Sequence, residues 1–334
     1  MNKRTFLNDF CWGILIICVM VSFGVSSAIA RETVYVTNYN SDFISLIDAQ
    51  TNVKEADIRT GNKPHGVAVS PDGRKVYVSN EGDNTVSVID AIAKRVIATV
   101  GVGKTPNQLC VSRDGTSVYV TNNGDETVSV IDTATDKVSA TIQVGRNPHI
   151  IVPSPDGSKL YVTLEGDNKL VIIDHAKKEV SGEIPVFGFP RVMTISPDGR
   201  WLYLTLRWLN GILKIDTDSR KIVSALDMGL PTFPAEGKAA HGPTISTDGK
   251  TLYLTSQILD SVNIIETSSM KVIRRITVGK DPNWIVLTAD DKRAYVSNTA
   301  SNNVSVIDLK SRKVIATVSV GNSPKRLAIG SIKE

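Results

Sequence analysis

The chain has 334 residues, of which 41% are hydrophobic and 22% charged, and a formal net charge of +4. That length can bury a large core, and so small a charge excludes a function built on a strongly basic or acidic surface, such as nucleic-acid or anionic-membrane binding. Three cysteines, Cys11, Cys18 and Cys110, are too few and too scattered for a disulfide scaffold.

In chain order the first feature is a leader. Lys3 and Arg4 precede an apolar run from about Cys11 to Val25, and Ala28 and Ala30 supply the small residues that a signal peptidase needs. The run is shorter than the ~20 residues of a membrane-spanning helix. Residues 1–30 therefore read as a cleaved signal peptide, and the protein as exported, periplasmic or secreted. Cleavage leaves 36 basic residues (38 − 2) and 33 acidic ones (34 − 1), a net charge of about +3. Cys110 then stands alone in an apolar strand, as a small core residue rather than a nucleophile.

From Arg31 onward one unit recurs. The tyrosine of a Tyr-(Val/Leu)-(Thr/Ser) motif stands at Tyr35, Tyr77, Tyr119, Tyr161, Tyr203, Tyr253 and Tyr295. Successive tyrosines are 42 residues apart, except for a step of 50 between Tyr203 and Tyr253. An acidic residue closing a Val-x-Val-Ile-Asp-like run keeps step at Asp48, Asp90, Asp132, Asp174, Asp216, Glu266 and Asp308. Two markers that share one insertion establish seven copies.

Residues 65–101 show how a copy folds. His65 to Ser70 is strand a, and Pro71-Asp72-Gly73 turns it, because proline presets φ and glycine accepts a left-handed conformation. Lys75 to Asn80 is strand b, Thr85 to Asp90 is strand c with alternating β-branched residues, and Arg95 to Val100 is strand d. The Asp90 carboxylate can accept bonds from the turn amides that follow it. Four antiparallel strands per 42 residues describe the blade of a β-propeller. The expected fold is all-β, a single seven-bladed propeller over residues 31–334. The chain enters on a strand b, Thr33 to Asn38, and ends on an unmatched strand a, Lys325 to Gly330. Their pairing completes the seventh blade, whereas a parallel solenoid gives no reason for complementary half-blades.

Tyr35-Val36-Thr37-Asn38 and Tyr119-Val120-Thr121-Asn122, with Ser-Pro-Asp-Gly, Val-Ser-Val-Ile-Asp and Val-Gly-x-x-Pro elsewhere, resemble the YVTN-repeat β-propellers. The resemblance covers Arg31 to Ile332 and implies the scaffold. It does not specify an activity, since related seven-bladed propellers include heme-bearing nitrite reductase domains, quinoprotein-associated subunits, sugar lactonases and binding proteins.

The blades serve as an alignment of the chain with itself. The a-to-b and c-to-d hairpins open on one face and are monotonous turns. The d-to-a and b-to-c loops open on the other face and vary. At the start of strand a, the equivalents are His65, Asn107, His149, Arg191, His241, Asn283 and Lys325: all polar, none acidic, and including three of the four histidines. His175, the fourth, follows a hairpin aspartate and is expected in solvent. The ring reads as a hydrated channel lining, as an anion site built on Arg191 and Lys325, or as a metal site of His65, His149 and His241.

A second group of departures lies in the fourth and fifth complete blades. Polar Gly-Asp turns give way to Arg207-Trp208-Leu209 and Gln257-Ile258-Leu259 in the b-to-c loops. Phe187 and Phe189 enter the d-to-a loop before Arg191, and the insertion before His241 adds Phe233, Glu236 and Lys238. Trp284 follows Asn283 in the ring. These residues read either as a satellite core under the insertion or as a site for a ligand or partner. No nucleophile elbow, HExxH, CxxC, CxxCH or phosphate loop is present, so no cofactor is required by a motif. The reading is a non-catalytic, monomeric, exported propeller that binds a protein or a small anionic ligand on the b-c/d-a face. The alternative is an enzyme or redox accessory protein holding a metal, noncovalent heme or quinone-type cofactor at the channel mouth.

Overall fold

The computed structural model describes residues 31–229 and 239–333. The leader, and with it the signal-peptide expectation, lies outside these residues, as do Phe233, Glu236 and Lys238. Twenty-eight strands form seven four-stranded antiparallel sheets. The blades, numbered from the first complete one, are Pro64–Gly101, Pro106–Gln143, Pro148–Pro185, Pro190–Asp227, Ala240–Thr277 and Pro282–Ser319. The seventh is closed by Pro324–Ser331 pairing with Glu32–Asn38, with Val34 opposite Ile329 and Tyr35 opposite Ala328. Closure between the two ends removes the exposed sheet edges that an open array would leave at its termini.

Each position of the repeat has a physical task. Every strand c meets strand d with a register shift, a bulge that adds twist to the outer edge of the blade. The acidic residue at the end of strand c caps the next turn: Asp90 accepts the amides of Ile92 and Ala93 at 2.9 and 2.8 Å. The glycine of the Ser-Pro-Asp-Gly turn is left-handed, with φ +75° at Gly73.

The aliphatic residues of strands b and c form the core, which lies between blades rather than within them. Seven apolar clusters occur among the described residues, one at each junction. Between the first two blades, Tyr77, Val86, Val88 and Val100 pack on Leu109, Val118, Val120 and Ile131. Each such side chain contributes about 1.5–3 kcal/mol on full burial. Cys110 is buried at the next junction, and burial pushes its thiol up to about 12, which leaves it inert.

The Thr/Ser of the tyrosine motif staples neighbouring blades. Its hydroxyl donates to the carbonyl that starts strand a of the next blade: Thr37 to His65 at 2.8 Å, Ser79 to Asn107 at 2.6 Å, Thr121 to His149 at 3.0 Å and Ser297 to Lys325 at 2.6 Å. The asparagine that follows binds inside its own blade; Asn122 Nδ2 donates to Thr127 and Ser129 at 3.0 and 2.8 Å. Leu206 replaces that asparagine in blade 4. There the b–c ladder has four residue pairs, Trp201–Asp216 to Leu204–Leu213, where every other blade has six. The Arg207-Trp208-Leu209 loop is therefore wider at its base. Asn210 closes it by donating to Gly229 O at 3.0 Å and accepting from Ser256 at 2.8 Å.

His175 is not in solvent as expected. Its Nδ1 lies 2.8 Å from the Tyr119 hydroxyl of the preceding blade, because the turn after strand c reaches across the junction.

Candidate functional site at the channel mouth

Three tiers of equivalent residues, one from each blade, follow one another at the channel mouth. The outermost comes from the first residue of each b-to-c loop: Tyr39, Glu81, Asn123, Glu165, Arg207, Gln257 and Thr299. Backbone bonds to the d-to-a loops hold it, as from Glu165 N to Asn147 O and Arg207 N to Phe189 O, both 3.1 Å. The middle ring is the polar series His65 to Lys325 recognised in the sequence. The inner ring is Gly66, Gln108, Ile150, Val192, Gly242, Trp284 and Arg326.

The three ring histidines share one arrangement. Each Nδ1 faces the carbonyl of the ring residue one blade on: His65 to Asn107 at 3.3 Å, His149 to Arg191 at 3.1 Å and His241 to Asn283 at 2.9 Å. A carbonyl can only accept, so Nδ1 carries the proton and donates it. Burial, then the charges of Lys325, Arg326 and Arg191, holds all three imidazoles well below the usual histidine range. They are neutral, and each leaves Nε2 as a lone-pair donor.

No group of three His, Cys, Asp or Glu side chains that could hold a metal ion exists among the described residues. The histidines occupy alternate blades, and each is tied to the blade beside it.

Positive charge dominates the mouth. Arg191 and Arg207 share one carboxylate, Glu165, whose oxygens lie 3.8 and 3.9 Å from them. Burial pushes the Glu165 carboxyl up, and Arg191 and Arg207 oppose that shift. On the far side Glu81 accepts from the Tyr39 hydroxyl at 2.7 Å, and Lys325 Nζ sits 3.5 Å above the Tyr39 ring. Burial holds Lys325 down to about 8, against the pull of Glu81. Arg326, 1% exposed, lies 4.3 Å over Trp284. Arg191, Arg207, Lys325 and Arg326 thus outnumber the carboxylates near them, Glu81, Glu165 and Asp281, the last of which also acts on Arg191. Buried Nε atoms of Arg191, Arg207 and Arg326, and Oε1 of Glu165, have no hydrogen-bond partner. Such atoms are rare in folded proteins and mark places where a polar ligand or water is missing.

The aromatic departures gather at one edge of this mouth. Phe189 and Trp208 meet edge to face with ring centroids 6.4 Å apart, and the Arg207 guanidinium lies 5.3 Å from the Trp208 ring. Phe187 is 86% exposed. Phe189 holds φ +58°, a costly conformation for a bulky residue, and its amide is fixed by Asn168 Oδ1 at 3.0 Å. Leu209 packs on the core between blades 3 and 4, as does Trp284 from across the channel. The expected site therefore divides: Leu209 is structural, Phe187, Phe189 and Trp208 form a rim, and Arg191, Arg207, His241 and Lys325 surround the opening. Ile258 is half-buried in the next loop along.

Arg326, Gln108 and Tyr39 were not anticipated. Their signal was present in the self-alignment, since the second position of strand a mixes two glycines with a tryptophan and an arginine.

The sequence profile of the cytochrome D1 heme domain family matches residues 30–328. The chain belongs to this family. The match is to the cytochrome D1 heme domain rather than to a YVTN-repeat family, while the shared scaffold is the seven-bladed propeller in both cases. No curated protein matches the chain significantly. Among solved structures, hydrazine synthase of Kuenenia stuttgartiensis is 23% identical with a TM-score of 0.74, over 83% of this chain and 92% of that one. The periplasmic gluconolactonase of Pseudomonas aeruginosa is 20% identical with a TM-score of 0.73, over 91% and 100%. Dihydro-heme d1 dehydrogenase NirN, solved in complex with DHE, is 19% identical with a TM-score of 0.65, over 85% of this chain and 62% of that one. At these identities the structural likeness concerns the fold.

Proposed function

We propose that this cytochrome D1 heme domain protein holds a carboxylate-bearing tetrapyrrole of the heme d1 type at the channel mouth, in an exported compartment. The observation that carries the reading is the excess of cations there, with three buried guanidinium Nε atoms unmet. Carboxylates of a macrocycle are the acceptors those donors lack, and guanidinium binds carboxylate with matched geometry.

The other residues present also fit the group. A neutral imidazole with Nδ1–H committed to a carbonyl keeps Nε2 free to bind iron, and His65, His149 and His241 each meet that condition, so any of them would be able to hold the group. Phe187, Phe189 and Trp208 form an apolar rim suited to covering a flat conjugated face. When bound, the group supplies a redox-active iron. The protein's part is to anchor carboxylates through Arg191 and Arg207, to exclude water with the aromatic rim, and to keep a neutral nitrogen donor beneath.

The test is spectroscopic. Purified protein is titrated separately with heme d1 and protoheme, following the Soret band. Wild type is expected to shift the band of at least one of them, and Arg191→Ala or Arg207→Ala to weaken binding about 10-fold or more, the worth of a charged hydrogen bond. His65→Ala, His149→Ala and His241→Ala are titrated in turn, and the one that removes an iron ligand should move the band itself. Unchanged spectra with both macrocycles refute the tetrapyrrole reading. The exposure of Phe187 favours a second role for the same rim, contact with a partner protein. Phe187→Ser should then abolish that contact, and it should weaken the Soret titration less than Arg191→Ala does, because Phe187 carries no charge.

A further inference from the structure

Arg326 has the largest fully buried side chain among the described residues, and it is charged. Buried charges are normally paired with a carboxylate. Among the described residues the Arg326 side chain makes one hydrogen bond, from Nη1 to Asn283 Oδ1 at 2.9 Å, and stacks on Trp284, while its Nε has no partner. Glu165 and Glu81 act on it only through space. Both are engaged elsewhere, Glu165 by Arg191 and Arg207 and Glu81 by Tyr39.

The neighbours do not supply the missing charge. Arg191 and Lys325 are also cationic and half-buried near the same channel, and the three histidines are neutral. Two amides of the wall, Asn107 and Gln108, are unmet at Oδ1 and Oε1. A half-turn of either side chain presents an N–H pair in place of the oxygen. Gly66 separates the blade of Arg326 from that of Gln108, and a Cβ there would lie 3.0 Å from Gln108 Oε1, so the glycine leaves the channel wall bare between them.

We propose that the channel beneath the mouth binds a small, weakly hydrated monovalent anion of halide size, held by Arg326 Nε with the amides of Asn107 and Gln108. The indole of Trp284 against the guanidinium excludes a large, strongly hydrated anion from the same place. This site rests on the same excess of positive charge as the tetrapyrrole reading but requires no tetrapyrrole. It compensates a cation that lies deeper than the rim arginines.

Bromide is the probe, used on the heme-free full chain. Crystals soaked in sodium bromide are expected to show an anomalous peak within hydrogen-bond distance of Arg326 Nε. In solution, bromide should raise the melting temperature by about 2–4 °C over sodium gluconate at equal ionic strength, and Arg326→Met should abolish the difference. A peak absent from Arg326, a peak only between Arg191 and Arg207, or equal melting in bromide and gluconate overturns the proposal. Should Arg326→Met fail to fold, the wild-type crystal decides. Bromide bound at Arg326 in a protein that ignores both macrocycles refutes the tetrapyrrole alone, and the converse result refutes the anion site alone.

Discussion

Acidification from pH 7 to pH 5 should destabilise this propeller through its three ring histidines. An unfolded histidine takes up a proton near pH 6.5. In the folded channel burial and the charges of Lys325, Arg326 and Arg191 keep His65, His149 and His241 neutral well below that value. The unfolded state therefore binds more protons than the folded one as pH falls below 6.5, and stability is lost in that direction. For one site that stays neutral when folded, the loss between pH 7 and pH 5 is at most about 2 kcal/mol, and for three sites about 6 kcal/mol. Urea denaturation of wild type and His149→Asn at both pH values measures it. Asparagine is an apt replacement, because Asn107 and Asn283 hold the equivalent place in their own blades. The variant should lose about 2 kcal/mol less than wild type over the same interval. Parallel losses would refute the reasoning, since His149 would then titrate alike in both states.

Three further outcomes follow from the geometry. Gly242→Ala places a Cβ 2.7 Å from the Asn283 carbonyl oxygen and 2.9 Å from Trp284 Cα, whereas Gly101→Ala meets nothing within 4 Å. The first should cost about 1–3 kcal/mol by urea denaturation and the second almost nothing. Glu165→Gln removes the carboxylate that Arg191 and Arg207 share, so it should tighten binding of anionic ligands, and it should cost little stability by urea denaturation, because burial already favours the uncharged side chain there. Asn122→Ala loses side-chain bonds to Thr127 and Ser129 and should lower stability by about 1–3 kcal/mol, with the tetrapyrrole titration unchanged.

The blade architecture was legible because it is local and repeated. Strands Lys75–Asn80 and Thr85–Asp90 fall where alternation and turn chemistry place them, and closure through the two chain ends follows from complementary half-blades. The polar ring was legible for the same reason, since a shared register makes His65 and His149 equivalent before any contact is known. The consequence of that ring was not. Residue type names three histidines, but their tautomer is fixed only when each Nδ1 proton goes to the carbonyl of a neighbouring blade, a contact made across 42 residues.

The family match moves the functional reading from an unspecified binder towards the cofactor-holding alternative. Within the site, the rim of Phe187, Phe189, Arg207 and Trp208 was visible as a departure from the repeat. Arg326 was not legible, because its burial depends on packing against Trp284 and Asn283 of the preceding blade.

By itself the sequence determined seven units, their register, the face on which they vary and the neutral turns of the opposite face, because hydrophobic alternation and turn residues act over a few positions. Tertiary structure alone decided which charges meet. Glu165, Arg191, Arg207 and Arg326 come from three different blades, and only ring closure brings them to one axis. There their protonation and unmet hydrogen bonds are set by burial and by neighbours far away in the chain.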